Sequence, residues 1–184
     1  IGGGTTEVAV ISLGGVVASQ SIRIGGNELD AAIVQYLKRE HGAAVGIRMA
    51  EKIKMELGSA NPLEEEVRAE VNCSDLLTGM PRSVAFSTRE IREAIEEPVA
   101  FIVDAVKSTL DRTPPELGAD IMERGIILAG GGALLMGLRE RLHDETGMII
   151  RLAADPLHAV VLGAGRALEE IDRFGTMIFG TDSD

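Results

Sequence analysis

Three short stretches combine residue types suited to holding a phosphorylated ligand. The first is IGGGTT at residues 1–6, where Gly2, Gly3 and Gly4 lead into Thr5 and Thr6. Glycines leave backbone N–H groups uncovered and threonine hydroxyls add donors, a combination that can cradle a β- or γ-phosphate. A glycine run before a strand is also an ordinary tight turn. The second is Gly130-Gly131-Gly132-Ala133-Leu134, between a compact apolar run and an apolar-periodic segment. Amides in such a loop near a helix N-terminus can contact a phosphate or pack under a flat base, and close strand-to-helix packing is the alternative. It matches neither GxGxxG nor a loop ending in GK[ST]. The third is Glu51-Lys52-Ile53-Lys54. Glu51 and Lys54 are i,i+3 neighbours on a helix and suit a ribose or an adenine edge; a solvated charged face is the alternative.

Other chemistry finds little support. His41, His143 and His158 are scattered, without the Cys or carboxylate spacing of a zinc site. Glu7 and Asp104 read as a hairpin edge and a helix surface. Cys73, the single cysteine, follows the alternation Val67, Ala69, Val71 and reads as a buried strand position. The pattern is that of binding without a visible base to activate water.

The elements that must position these residues follow from periodicity. Glu7–Leu13 and Val16–Ile24 read as a hairpin turning at Gly14-Gly15. Asn27 can cap a helix with Leu29, Ile33, Tyr36 and Leu37 on one face and Gly42 as its stop. A second helix spans Ile47 to Leu57. Asn61–Glu66 reads as a solvated acidic loop, followed by a hairpin of Val67–Cys73 and Ser83–Ser87. Ser87 and Glu90 form a capping box ahead of a long stripe, Ile91, Ile95, Val99, Ile102, Val106 and Leu110, bent by Pro98. A short helix lies around Leu117–Glu123 and a buried strand at Gly125–Ala129. Leu134, Leu135, Leu138 and Leu142 mark a helix, Met148–Leu152 a strand, and Pro156 opens a helix to about Ile171, with a frayed tail from Phe174. This is an α/β core interrupted by a smaller α+β insert.

The composition narrows the partners. Acidic residues outnumber basic ones 29 to 18, a net charge of −11, which disfavours nucleic acid. Any anion must be held locally, against the global field. One cysteine suits a reducing compartment, and the chain shows no secretory signal segment and no apolar run near the roughly 20 residues that span a bilayer.

In order, IGGGTTEVAVISLGG, SIRIGGNELDAAIVQYLK, AEKIKMELGSANP and PPELGADIMERGIILAGGGALLMGL closely resemble the C-terminal half of the MreB family of bacterial actin homologues. The resemblance covers nearly the whole chain. It implies the actin-like, ribonuclease H-like fold, in which two α/β domains enclose ATP and Mg²⁺. On that basis residues 1–26 and 89–184 form the large subdomain of the second domain, and 27–88 the inserted smaller one. By position, Gly3, Gly4 and Thr5 match the second phosphate loop, Glu51, Lys52, Ile53 and Lys54 the adenosine-contacting helix, and Gly131, Gly132, Ala133 and Leu134 the adenosine loop. Ala129 stands where family members often have Thr.

The resemblance further implies a rod shape-determining ATPase at the inner face of the cytoplasmic membrane. Such a protein self-associates head to tail into filaments that guide cell-wall synthesis, and its adaptor RodZ docks on the large subdomain. In the family an Asp precedes the IGGGT loop, and the first phosphate loop, the acid that positions water and the membrane-contacting element all lie further upstream. The chain alone is therefore expected to bind ATP weakly and not to hydrolyse it. A sugar or acetate kinase, or a chaperone ATPase domain, of the same superfamily is the alternative.

Overall fold

The computed structural model describes residues 1–171, so the tail from Phe174 lies outside the described residues. The chain begins with an antiparallel hairpin of β1 (Thr6–Ser12) and β2 (Gly15–Ile22). Ser12 pairs with Gly15, so the turn residues are Leu13 and Gly14, at φ +50° and +79°. Paired positive φ values suit the right-handed twist of the strands, and the turn sits one residue earlier than its glycine pair suggests.

Helix α1 (Gly26–His41) starts from Gly25, whose N–H donates to the Glu28 carboxylate at 2.8 Å. Asn27 therefore lies inside the first turn and does not cap it. The helix ends where Gly42 takes a left-handed conformation, φ +57°, and donates its N–H to Leu37 O. Leu29, Ile33 and Leu37 are buried and Tyr36 half-buried. The short β3 (Ala43–Ala44) leads to α2 (Ile47–Leu57), which buries Ala50, Ile53 and Leu57.

β4 (Arg68–Asp75) and β5 (Pro81–Ser87) form the second hairpin, and β3 joins β4 to make a three-stranded antiparallel sheet. Val71, Cys73 and Phe86 turn into the core, as the alternation predicts. The acidic loop is more than solvated: Glu66 accepts from the Thr88 hydroxyl and pairs with Arg92 at 2.6 Å, pinning the loop to the next helix.

That helix, α3 (Thr88–Asp111), runs unbroken through a buried Pro98. Ile91, Ile95, Val99, Ile102 and Val106 form its buried stripe, packed against α1, α2 and both flanking hairpins. α4 (Pro115–Arg124) follows, then β6 (Ile126–Leu128), α5 (Leu138–Thr146), β7 (Ile150–Leu152) and α6 (Ala159–Glu169); β6 and β7 pair in parallel.

Two helix starts differ from the sequence pattern. Gly131–Leu134 is a 3₁₀ turn, and Gly137, at φ +72°, separates it from α5, so of the four leucines only Leu138 and Leu142 are fully buried. A left-handed residue cannot continue a right-handed helix. Pro156 lies in a turn ahead of α6, where Asp155 accepts from the His158 N–H at 3.3 Å.

The capping box of α3 gives a direct test. Burial raises the Glu90 carboxyl pKa, but hydrogen bonds from the Ser87 hydroxyl and N–H outweigh it and hold the group below its ordinary value. A depressed folded pKa adds stability above the unfolded carboxyl value of about 4.3, and that stability is lost as pH falls through the folded one. Ser87→Ala should cost about 1 kcal/mol in denaturant unfolding at neutral pH. The gap from the parent chain should narrow below that value.

Candidate functional site

The loop at residues 2–5 folds back on itself through the Gly2 N–H, which donates to Thr5 O at 2.8 Å. Its carbonyls face α1: Gly26 N–H donates to Gly2 O at 2.9 Å and Asn27 N–H to Gly3 O at 2.7 Å. Only glycine permits this approach, because a Cβ at Gly25 would lie 2.6 Å from Gly2 O and 2.7 Å from Gly3 O. With the carbonyls turned inward, the amides of Gly3, Gly4 and Thr5 donate to no group among the described residues. These three residues are exposed, and a Cβ at Gly4 would meet nothing within 4 Å. Adjacent free amides with open space above them complement an anion. The two threonines part company here, since the buried Thr6 hydroxyl is committed to Ile24 O at 2.8 Å. Thr5 is the hydroxyl left for a ligand.

The second glycine loop touches the first through Ile1. Ile1 N donates to Ala129 O at 2.8 Å, and Gly132 N–H donates back to Ile1 O at 3.1 Å. Gly130 N–H is committed to Pro156 O at 2.7 Å. Gly131 and Leu134 are exposed, Gly132 is half-exposed, and Ala133 is buried. The 3₁₀ turn therefore offers a partly open backbone and one apolar side chain, a shelf rather than a helix terminus.

Lys54 reaches the site from α2. Its ammonium lies 2.8 Å from Asp30 Oδ1 on α1 and donates to Gly26 O at 3.0 Å. Burial raises the Asp30 carboxyl pKa, Lys54 opposes the rise, and the Glu51 charge reinforces it. Ile53 is a core residue, whereas Glu51 and Lys52 are exposed and, among the described residues, their side chains form no hydrogen bond or ion pair. Thus the structure brings together the loop at Gly3–Thr5, the Gly131–Gly132 backbone and Lys54. Glu51 flanks the Asp30–Lys54 pair, and Ile53 packs beneath.

Gly25, Gly26 and Asp30 escape a reading by motif. The glycine pair looks like a strand break, and Asp30 looks like one more acid on an amphipathic helix. The available signal is the position of Asp30, directly beside buried Leu29 in the sequence, where a charge needs a partner.

Two other features fall outside this constellation. A cavity of about 630 Å³ opens between β1, α3, α4 and β6, lined in part by Val8, Val10, Leu110 and Ile121, and it shares no residue with either glycine loop. Among the described residues, no three His, Cys, Asp or Glu side chains gather as a metal site. The residues present suit a phosphate and do not by themselves suit Mg²⁺.

An α/β chain with glycine loops meeting beside an inserted helix pair has the architecture of the actin-like fold, and solved structures agree. MreB5 of Spiroplasma citri, solved bound to ADP and also to AMPPNP, superposes with a TM-score of 0.88 at 35% identity, over 94% of this chain and 53% of MreB5 in the ADP structure. The MamK double helical filament shares the fold, with a TM-score of 0.75 at 22% identity over 92% of this chain and 52% of MamK. Residues 1–176 match the MreB/Mbl protein family, and the chain belongs to it. It is 50% identical over 182 residues to the cell shape-determining protein MreB of Escherichia coli K12, covering 99% of this chain and 52% of that protein. The chain thus spans about half the length of the curated relatives it matches.

Gly25→Ala tests the loop-to-helix contact. The new Cβ must displace the Gly2 and Gly3 carbonyls, and the stability loss in denaturant unfolding should be about 1–3 kcal/mol, the range for overpacking. Gly4→Ala, with open space above it, should stay within about 0.5 kcal/mol of the parent chain.

Proposed function

We propose that this chain is the nucleotide-holding second half of a filament-forming cell shape protein, and that Gly3, Gly4 and Thr5 take the phosphates of ATP. The observation that carries this is the free amide array at those residues, held open by the contact of Gly2 and Gly3 with α1. The ADP and AMPPNP bound to MreB5 support a nucleotide ligand for the same fold. The Gly131–Leu134 turn supports the adenosine, with Glu51 and Lys52 at its ribose side, while Lys54 acts on the site through its contact with the first turn of α1.

A second half needs a facing one. Helix α6 is apolar yet has no buried residue, leaving Val160, Val161 and Leu162 71%, 64% and 55% exposed. Such a face fits a partner domain, consistent with a chain of half the relatives' length. That domain would bring the remaining phosphate donors and the carboxylates for Mg²⁺, so hydrolysis belongs to the whole protein.

Self-association follows the same logic. The β4–β5 turn exposes Leu77 at 97% and Met80 at 65%, an apolar tip suited to the next protomer in a head-to-tail filament. A filament carrying RodZ on the large subdomain, guiding wall synthesis at the inner face of the cytoplasmic membrane, is the cellular role we assign. Membrane contact falls to the other half.

Calorimetry separates the half site from the whole. The full-length protein should bind ATP stoichiometrically in the presence of Mg²⁺, and the 184-residue chain should show only weak binding. Micromolar, stoichiometric binding by this chain alone would overturn the division of the site between two halves.

A further inference from the structure

The Asp30–Lys54 pair joins α1 to α2 at the point where α1 meets the phosphate loop. Asp30 is 95% buried, with a relative exposure of 5%, and the Lys54 ammonium, 2.8 Å from its Oδ1, is its charged partner. Burying two charges is costly, and replacing such a pair by apolar side chains of similar volume is often neutral or stabilising. A pair retained on those terms needs a purpose beyond holding two helices together, which apolar side chains would do as well.

Its geometry supplies one. The Lys54 ammonium donates to Gly26 O at 3.0 Å, and the Gly26 N–H donates to Gly2 O at 2.9 Å. A Cβ on Gly26 would sit 3.3 Å from Lys54 Nζ and 3.7 Å from Gly3 Cα, so the ammonium, the first turn of α1 and the phosphate loop are packed in series. An ammonium has three donors, and among the described residues those of Lys54 meet the Gly26 carbonyl and the Asp30 carboxylate. Without the negative charge of Asp30, the ammonium is held to the first turn of α1 by the Gly26 carbonyl alone. The flexible lysine stem then has many other rotamers open to it.

We propose that Asp30 is a positioning residue for the phosphate loop: by holding the Lys54 ammonium against the first turn of α1, it sets the spacing of the Gly3, Gly4 and Thr5 amides. This rests on the reading that those amides take the phosphates. The residue touches no ligand itself. Its effect falls on the part of nucleotide affinity that the phosphates contribute, and the adenosine part is left alone.

The test uses the full-length protein and compares the dissociation constants of ADP and adenosine. Asp30→Asn should weaken ADP about tenfold, the scale expected for a displaced binding group, and leave adenosine within about twofold. Gly26→Ala is the second variant. Its Cβ presses only on the end of a flexible side chain, so folding is retained while Lys54 shifts by a few tenths of an ångström, and ADP should weaken in the same direction with adenosine unchanged. Thr5→Val reports on the underlying reading. If Thr5→Val weakens ADP while Asp30→Asn and Gly26→Ala bind it as the parent does, the positioning role is overturned and the phosphate loop stands. Equal weakening of ADP and adenosine in either α1 variant also overturns it, because that is the mark of general loosening. If saturating AMPPNP leaves the Gly3, Gly4 and Thr5 backbone amide shifts of the parent protein unmoved, the phosphate-loop reading itself fails.

Discussion

The contact of Gly2 and Gly3 with Gly25 and Gly26 is the constraint on which the site depends. Two peptide segments approach so closely that a Cβ at Gly25 would lie 2.6 Å from Gly2 O. In return, two carbonyls of the loop are paired with the first amides of α1, and the loop cannot turn over without breaking both bonds. Turning the Gly2 and Gly3 carbonyls inward leaves the Gly3 and Gly4 amides outward. The loop's polarity toward solvent is therefore set by its packing, and a run of glycines becomes an anion cradle only through the helix beneath it.

That local polarity works against the chain's overall charge. With a net charge of −11, the molecule repels phosphate at long range, and binding has to come from fixed dipoles at contact distance. The structure keeps carboxylates off the loop. Glu28 is spent on the Gly25 N–H, and Glu7 accepts from the Ser21 hydroxyl. The one buried carboxylate nearby, Asp30, is matched by the Lys54 cation. The chain belongs to the MreB/Mbl family, and the loop at residues 2–5 is held against the first turn of α1, which Lys54 of α2 also contacts.

Much of the framework is legible in the sequence. The bounds of α2, Ile47–Leu57, follow from Met49, Ile53 and Leu57 with Gly58 behind them, and the Ser87–Glu90 box marks the start of α3. The long stripe from Ile91 to Val106 survives Pro98 because burial on one face outweighs a lost backbone bond. Left-handed residues are less legible. Leu13 takes a positive φ that its type disfavours, and Gly137 interrupts a leucine pattern that periodicity alone extends. At the site, the glycine loops are visible as composition, but their contacts through Ile1 and Gly26 are long-range and leave no local mark. The family resemblance puts Lys54 among the adenosine contacts; in the structure its packing makes it a strut between α1 and α2.

Central to the proposed function is that the backbone amides of Gly3, Gly4 and Thr5, the first two aimed outward by the helix contact, receive the nucleotide's phosphates. Backbone amide shifts of isotope-labelled full-length protein, kept below its assembly concentration and titrated with AMPPNP, test it most directly. The account predicts the largest shifts at Gly3, Gly4 and Thr5, with Gly79 in the distant β4–β5 turn unmoved. Saturating AMPPNP that leaves those three amides at their free positions would contradict it.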